Sequence, residues 1–403
     1  MRQAARAAVR STGLLSLSPA TSLLPPSRAA SPQQLQLRMA SKETGKKEEA
    51  ELPPLAPDQV LKSEAAVYSL VKRVGEGSFG ELWIARMEKV GSSSGGGVEK
   101  KGGKGGKGRR VAVKLESEKS PTPSLHLEVK YYLKLGTHRT VPAIYDFFRS
   151  SGRNCMAMEL LGKSIENRMD HVGRRMPVKD VLMIGMQVLD ALEHMHSCQL
   201  IHRDIKPDNF LFGPHGKRSQ DQLRVIDLGL AKQFKDDAGR HIDFNAHSMP
   251  MGTARYMSIR AHQGMQQSRR DDLEALAYML IYLQRDRMPW DGIREADARL
   301  RNRRILEAKQ ATPVPQLLAL DAAGCKLMPF VFAQLLQYAK KLKFKEDPDY
   351  DAMRAMLTGF AKAAHITLDG RFSWSDEDKE SELTIKPQTS DNAKLMNRSN
   401  RDN

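Results

Sequence analysis

The sequence predicts an α+β chain of two lobes, a small antiparallel β lobe carrying one helix and a larger, mainly helical lobe. Three observations predict it. Gly75, Gly77 and Gly80 lie between short strand-like runs at 68–71 and 81–84, which places them in a hairpin. A helical stretch covers 178–195. Residues 273–283 are apolar almost all round, and a helix with no polar face has to be central and buried.

The elements follow in chain order. In the hairpin, Val74-Gly75-Glu76-Gly77-Ser78-Phe79-Gly80 is followed by a strand that includes Leu82. Without side chains at the glycines, backbone N–H groups can approach phosphate oxygens closely. A dinucleotide-binding turn would be followed by a helix instead. Next, Val111-Ala112-Val113-Lys114 reads as an apolar strand ending in a cation. Fourteen residues on, Glu128 lies in a helix over 126–135, where Leu125, Val129 and Leu133 mark the inward face. A carboxylate leaning towards that face needs a partner, and Lys114 is the expected one. The small lobe is placed at 68–157 and the large lobe at 158–365.

The large lobe carries the chemistry. Residues 202–209 read His-Arg-Asp-Ile-Lys-Pro-Asp-Asn, and Asp227-Leu228-Gly229 follows eighteen residues after Asn209. Phosphoryl transfer needs charge neutralised on phosphates and a hydroxyl held in line. Asp204 can orient that hydroxyl and take its proton, while Asn209 and Asp227 offer hard oxygens suited to Mg2+ or Mn2+. The eight-residue run is specific; an isolated Asp-x-Gly is not.

On these motifs the chain resembles the casein kinase I family of eukaryotic-type Ser/Thr protein kinases, over about residues 68–365. The resemblance also rests on Met158-Glu159-Leu160-Leu161-Gly162, Gly252-Thr253-Ala254-Arg255-Tyr256, Gln267-Ser268-Arg269-Arg270-Asp271-Asp272, the Pro-Trp-x-Gly of 289–292 and the Asp-Pro-Asp-Tyr of 347–350. Ser258-Ile259-Arg260 stands close to the Ser-Ile-Asn that this family carries in place of Ala-Pro-Glu. The resemblance implies ATP with magnesium, gripped between the glycine hairpin and the Asn209–Asp227 pair. It implies that Lys206 contacts the γ-phosphate and that Thr253 bridges Asp204 and Lys206. Met158 would gate the pocket behind adenine, backbone from Glu159 to Leu161 would bond the base, and Ala112 and Leu211 would sandwich it. Asp272 would tie the central helix to the catalytic loop.

The resemblance further implies protein substrates that are acidic or already phosphorylated, met by a basic pocket to which Arg255, Gly292 and Arg301 correspond. A guanidinium suits phosphate because it donates a bidentate fork. Two departures matter. Asp291 stands where the family has Gln, and an acid there weakens an anion pocket. Leu228 stands where it has Phe, which keeps open the alternative of a catalytically silent binding module with the same fold.

Composition bounds the rest. The chain has 403 residues, 40% hydrophobic and 28% charged, enough for a sizeable core. Its net charge of +16 is concentrated, with +6 in residues 1–42 and +5 in residues 99–110. The remainder is mildly basic and carries no recognisable nucleic-acid module. Residues 1–38, rich in Arg, Ser, Ala and Pro, leave two readings open: an organellar transit peptide, or sequence ahead of a start at Met39. Residues 40–66 read as a linker, 90–108 as a flexible Gly/Lys-rich insertion, and 376–403 as a polar tail. Cys155, Cys198 and Cys325 show neither pairing nor metal spacing, which fits a reducing compartment. Cytoplasm or nucleus is the expected location, import through residues 1–38 the variant. No apolar run is long enough to span a membrane, and a monomer is expected.

Overall fold

The structure, a computed structural model, describes residues 53–77, 80–90, 108–121, 123–319 and 328–375. The small lobe is built on one six-stranded sheet. Its strands are β1 (Val60–Lys62), β2 (Ala66–Gly77), β3 (Gly80–Lys89), β4 (Arg109–Ser117), β5 (Ile144–Ser150) and β6 (Arg153–Glu159), in the order β1-β2-β3-β4-β6-β5. All neighbours are antiparallel.

Alternation along the strands decides what each face touches. Val111, Val113 and Leu115 of β4 point to an outer cluster with Leu70, Trp83 and Phe148. Ala112 points the other way, with Met156 and Met158 of β6, towards α1 (Leu125–Leu135) and its Leu125, Val129 and Tyr132. Helix α1, the one helix of the small lobe among the described residues, therefore lies on the same sheet face as the side chain of Lys114.

In the helical lobe come α2 (Ile165–His171) and α3 (Val178–Ser197). Short strands follow, β7 (Leu200–Ile201), β8 (Phe210–Phe212), β9 (Leu223–Val225) and β10 (Lys232–Gln233), with β7 paired to β10 and β8 to β9. The remaining helices are α4 (Ile259–His262), α5 (Arg269–Arg285), α6 (Ala298–Ala311), α7 (Val314–Leu318), α8 (Val331–Lys341) and α9 (Tyr350–Ala363). Helix α5 is buried from Arg269 through Gln284, as its apolar sequence requires. It meets α3 at Gly185, where a Cβ would stand 3.2 Å from both Leu280 and Leu357. That glycine lets three helices approach closely.

Packed chain reaches beyond the predicted bounds at both ends. Val60–Lys62 is a strand rather than linker, pairing Leu61 with Tyr68, and Leu61 is fully buried. Three residues with one buried side chain are too short to show a period. After α9, Phe372 and Trp374 stack at 4.8 Å and pack edge-on against Phe212, with Arg168 lying over Trp374. Ser373 between them donates to Asp180 at 2.6 Å. The expectations for residues 1–42, for most of the 90–108 insertion, for 376–403 and for Cys325 fall outside the described residues. Among the described residues no helix is long and apolar enough to cross a membrane.

Candidate active site

The glycine hairpin forms as expected. Gly75 pairs with Leu82 and Gly77 with Gly80, and strand β3 follows directly. Gly80 has φ +116°, and a Cβ there would lie 1.9 Å from the Leu115 carbonyl oxygen, so only glycine fits. Val74 is half-buried at the hairpin base, while Ser78 and Phe79 lie outside the described residues.

Behind the hairpin, β4 grips α1 at two points. Lys114 Nζ donates to Glu128 at 2.7 Å and to Asp227 at 3.2 Å. Burial opposes the charge on Lys114, but the two carboxylates outweigh it and hold the ammonium above its ordinary range. Burial pushes the Glu128 carboxyl up, and Lys114 pulls it back. Two residues along the same strand face, Glu116 accepts from the backbone N–H of Ser124 at 2.7 Å and of Leu125 at 3.3 Å. Ser124 has no side-chain cap of its own, so this buried carboxylate caps the helix and complements its dipole. Sequence reading missed Glu116. Its two-residue spacing from Lys114 was the available signal.

The loop after β7 is held in an unusual backbone. Arg203 has φ +68° and Asp227 has φ +60°, left-handed values that non-glycine residues adopt at a cost. Asp272 fixes the first: its carboxylate takes the N–H groups of His202 and Arg203, both at 2.8 Å, and His196 Nε2 at 2.9 Å. Tyr132 of α1 fixes the second, its hydroxyl accepting from the Asp227 N–H at 3.2 Å. Leu228 is fully buried beneath α1 and leaves Asp227 in place.

Asp204 occupies the centre. One carboxylate oxygen accepts from the Thr253 N–H at 2.8 Å and its hydroxyl at 2.7 Å, while the other pairs with Lys206 Nζ at 2.8 Å. The expected bridge by Thr253 is thus inverted, because the carboxylate of Asp204 is what joins Thr253 and Lys206. Asn209 spends its amide nitrogen on the Asp204 carbonyl at 2.8 Å. That leaves its oxygen for another partner. Burial raises the Asp227 carboxyl, and Lys114 more than reverses this, leaving it below its ordinary value and anionic. An amide oxygen and an anionic carboxylate suit Mg2+ or Mn2+, so the residues present fit such a cation.

The nucleotide side assembles along β4 and β6. Ala112 pairs with Met158, Lys114 with Leu82, and Glu159 is anchored by backbone bonding to Ala143. Leu161 is buried and Leu211 half-buried beneath them. The predicted anion pocket is changed. Arg255 donates its Nε to Asp291 at 2.7 Å, and Asp291 also accepts the Met288 N–H at 2.9 Å. Gly292 has φ +97° beside it, and Arg301 lies exposed in the first turn of α6. Nearby, His194 bonds the Leu135 carbonyl, and His196 bonds Asp272 and Tyr350.

Residues 84–341 match the family model described as "Protein kinase domain", more than half of the chain. The chain is similar to casein kinase I homolog 3 of Schizosaccharomyces pombe (strain 972 / ATCC 24843), with 35% identity over 309 residues. That alignment spans 76% of this chain and 65% of that protein's length. The two-point grip on α1, the Asp204 cluster and these likenesses converge: the chain belongs to the protein kinase family.

Proposed function

We propose that the chain transfers the γ-phosphate of ATP to Ser or Thr hydroxyls of protein substrates, with acidic or pre-phosphorylated sequences favoured. The observation that carries this reading is the Asp204 carboxylate, aligned by Thr253 on one oxygen and Lys206 on the other. A carboxylate so fixed can orient a substrate hydroxyl and accept its proton. Lys206, paired with Asp204, would neutralise charge on the transferred phosphoryl group, and Lys114, held by Glu128, would meet the inner phosphates. Asn209 and Asp227 would hold magnesium or manganese, which supplies charge neutralisation on the phosphate oxygens. The preference for acidic or phosphorylated substrates is supported by Arg255 and Arg301, with Asp291 competing for the first.

The test is direct. Magnesium–ATP should raise the melting temperature of the full chain, and labelled phosphate should pass to casein. Asp204→Asn and Lys114→Arg should each reduce that transfer by roughly two to four orders of magnitude. Wild-type rates in either variant would remove the assignment.

A further inference from the structure

Helix α6 is studded with arginines outside, yet it buries only Ile305 and Lys309. Lys309 is 3% exposed. Its Nζ donates to the Ala254 carbonyl at 2.9 Å and the Met257 carbonyl at 2.5 Å. The rings of Tyr278 and Trp290 face it at 4.8 and 5.0 Å. Burial pushes this amine well below the ordinary lysine range; Glu274 and Asp291 oppose that only through space, and Lys340 adds to it. A lysine core position is expensive unless each N–H has a use. Here the uses are two carbonyls of one short segment and two aromatic faces.

That segment is the one that touches the reacting groups. It begins at Thr253, which bonds Asp204, and carries Arg255, which bonds Asp291. Its turn is closed by the Tyr256 and Met257 N–H groups on the Thr253 carbonyl, at 3.0 and 2.9 Å. The Ala254 carbonyl also accepts from His262 Nε2 at 3.1 Å, and Trp290 Nε1 takes the Arg255 carbonyl at 3.0 Å. Carbonyls 254, 255 and 257 are therefore all pinned by side-chain donors.

We propose that Lys309 is a positioning residue for residues 253–257, setting how Thr253 meets Asp204 and how Arg255 is presented to a protein substrate. The kinetic part of this inference rests on the phosphoryl-transfer reading, and the structural part does not. Lys309→Met keeps the length of the stem and removes the N–H donors; Lys309→Arg keeps donors at the end of the stem.

Two measurements on the full chain decide it. In Lys309→Met, hydrogen exchange at the Thr253, Tyr256 and Met257 amides should speed up about tenfold or more, with α3 and α5 unchanged. The KM for casein should rise about tenfold while the KM for ATP stays within about twofold. Lys309→Arg should stay within about threefold of wild type on both counts. Wild-type exchange and casein KM in Lys309→Met would overturn the proposal. So would exchange accelerated equally through α3 and α5, which marks an ordinary core residue. If wild type transfers no phosphate, the kinetic reading fails and the exchange result alone decides the positioning role.

Discussion

Asp291→Asn should convert a self-neutralised pocket into one that selects phosphorylated substrates. In the native chain the Arg255 Nε is committed to the Asp291 carboxylate at 2.7 Å, so an incoming phosphate must compete with an internal anion. Asparagine keeps an oxygen for the Met288 N–H, which holds the turn, but gives up the charge. A hydrogen bond between charged groups contributes about 1.5–3 kcal/mol when sheltered. The Arg255 side chain is 38% exposed, so solvent screening reduces this to about 1 kcal/mol. At 1.4 kcal/mol per tenfold, the variant should raise the preference about fivefold. The assay compares kcat/KM on two peptides that differ only by a phosphoserine three residues before the acceptor. The ratio should also shrink with added salt, because the pocket is partly open. A ratio unchanged within twofold in Asp291→Asn would show that Asp291 does not guard Arg255.

Two further outcomes follow from the packing. Burial and the nearby Lys309 push the His262 imidazole down to about 3 from 6.5. Between those values the unfolded chain binds the proton and the folded chain does not. Stability from His262 is therefore full above about pH 6.5 and is lost as pH falls towards 3. His262→Gln should flatten that acid loss in urea melts. Asp271, raised to about 6 by burial, works in the opposite sense over part of the window, so the variant-minus-wild-type difference is the quantity to read. An identical pH slope in His262→Gln would contradict the burial argument. Trp374→Ala should cost about 3–5 kcal/mol of unfolding free energy, since its ring fills the space between Phe372, Phe212 and Arg168. A loss under about 1 kcal/mol would mean the closing segment is not part of the folded unit.

The site was largely legible in the sequence because its chemistry is written in contiguous runs. Residues 202–209, the glycine hairpin and Val111–Ala112–Val113–Lys114 each carry their roles at fixed spacing, and helical period alone turned Glu128 towards Lys114. The all-round apolar 273–283 announced the central helix for the same reason: one residue type repeated along one element. What the sequence left out are contacts between distant segments. Glu116 on the start of α1 and Trp374 beneath Phe212 join residues 8 and 162 positions apart, and for Asp291 the resemblance gave an acid at the pocket but not its bond to Arg255. No local period encodes such pairs. The polar ones become bonds when burial removes water, leaving a charged group no partner but the one the fold delivers. Which chemistry the chain carries is a property of its motifs; which anion occupies Arg255, and what holds the substrate segment in place, belong to the tertiary structure.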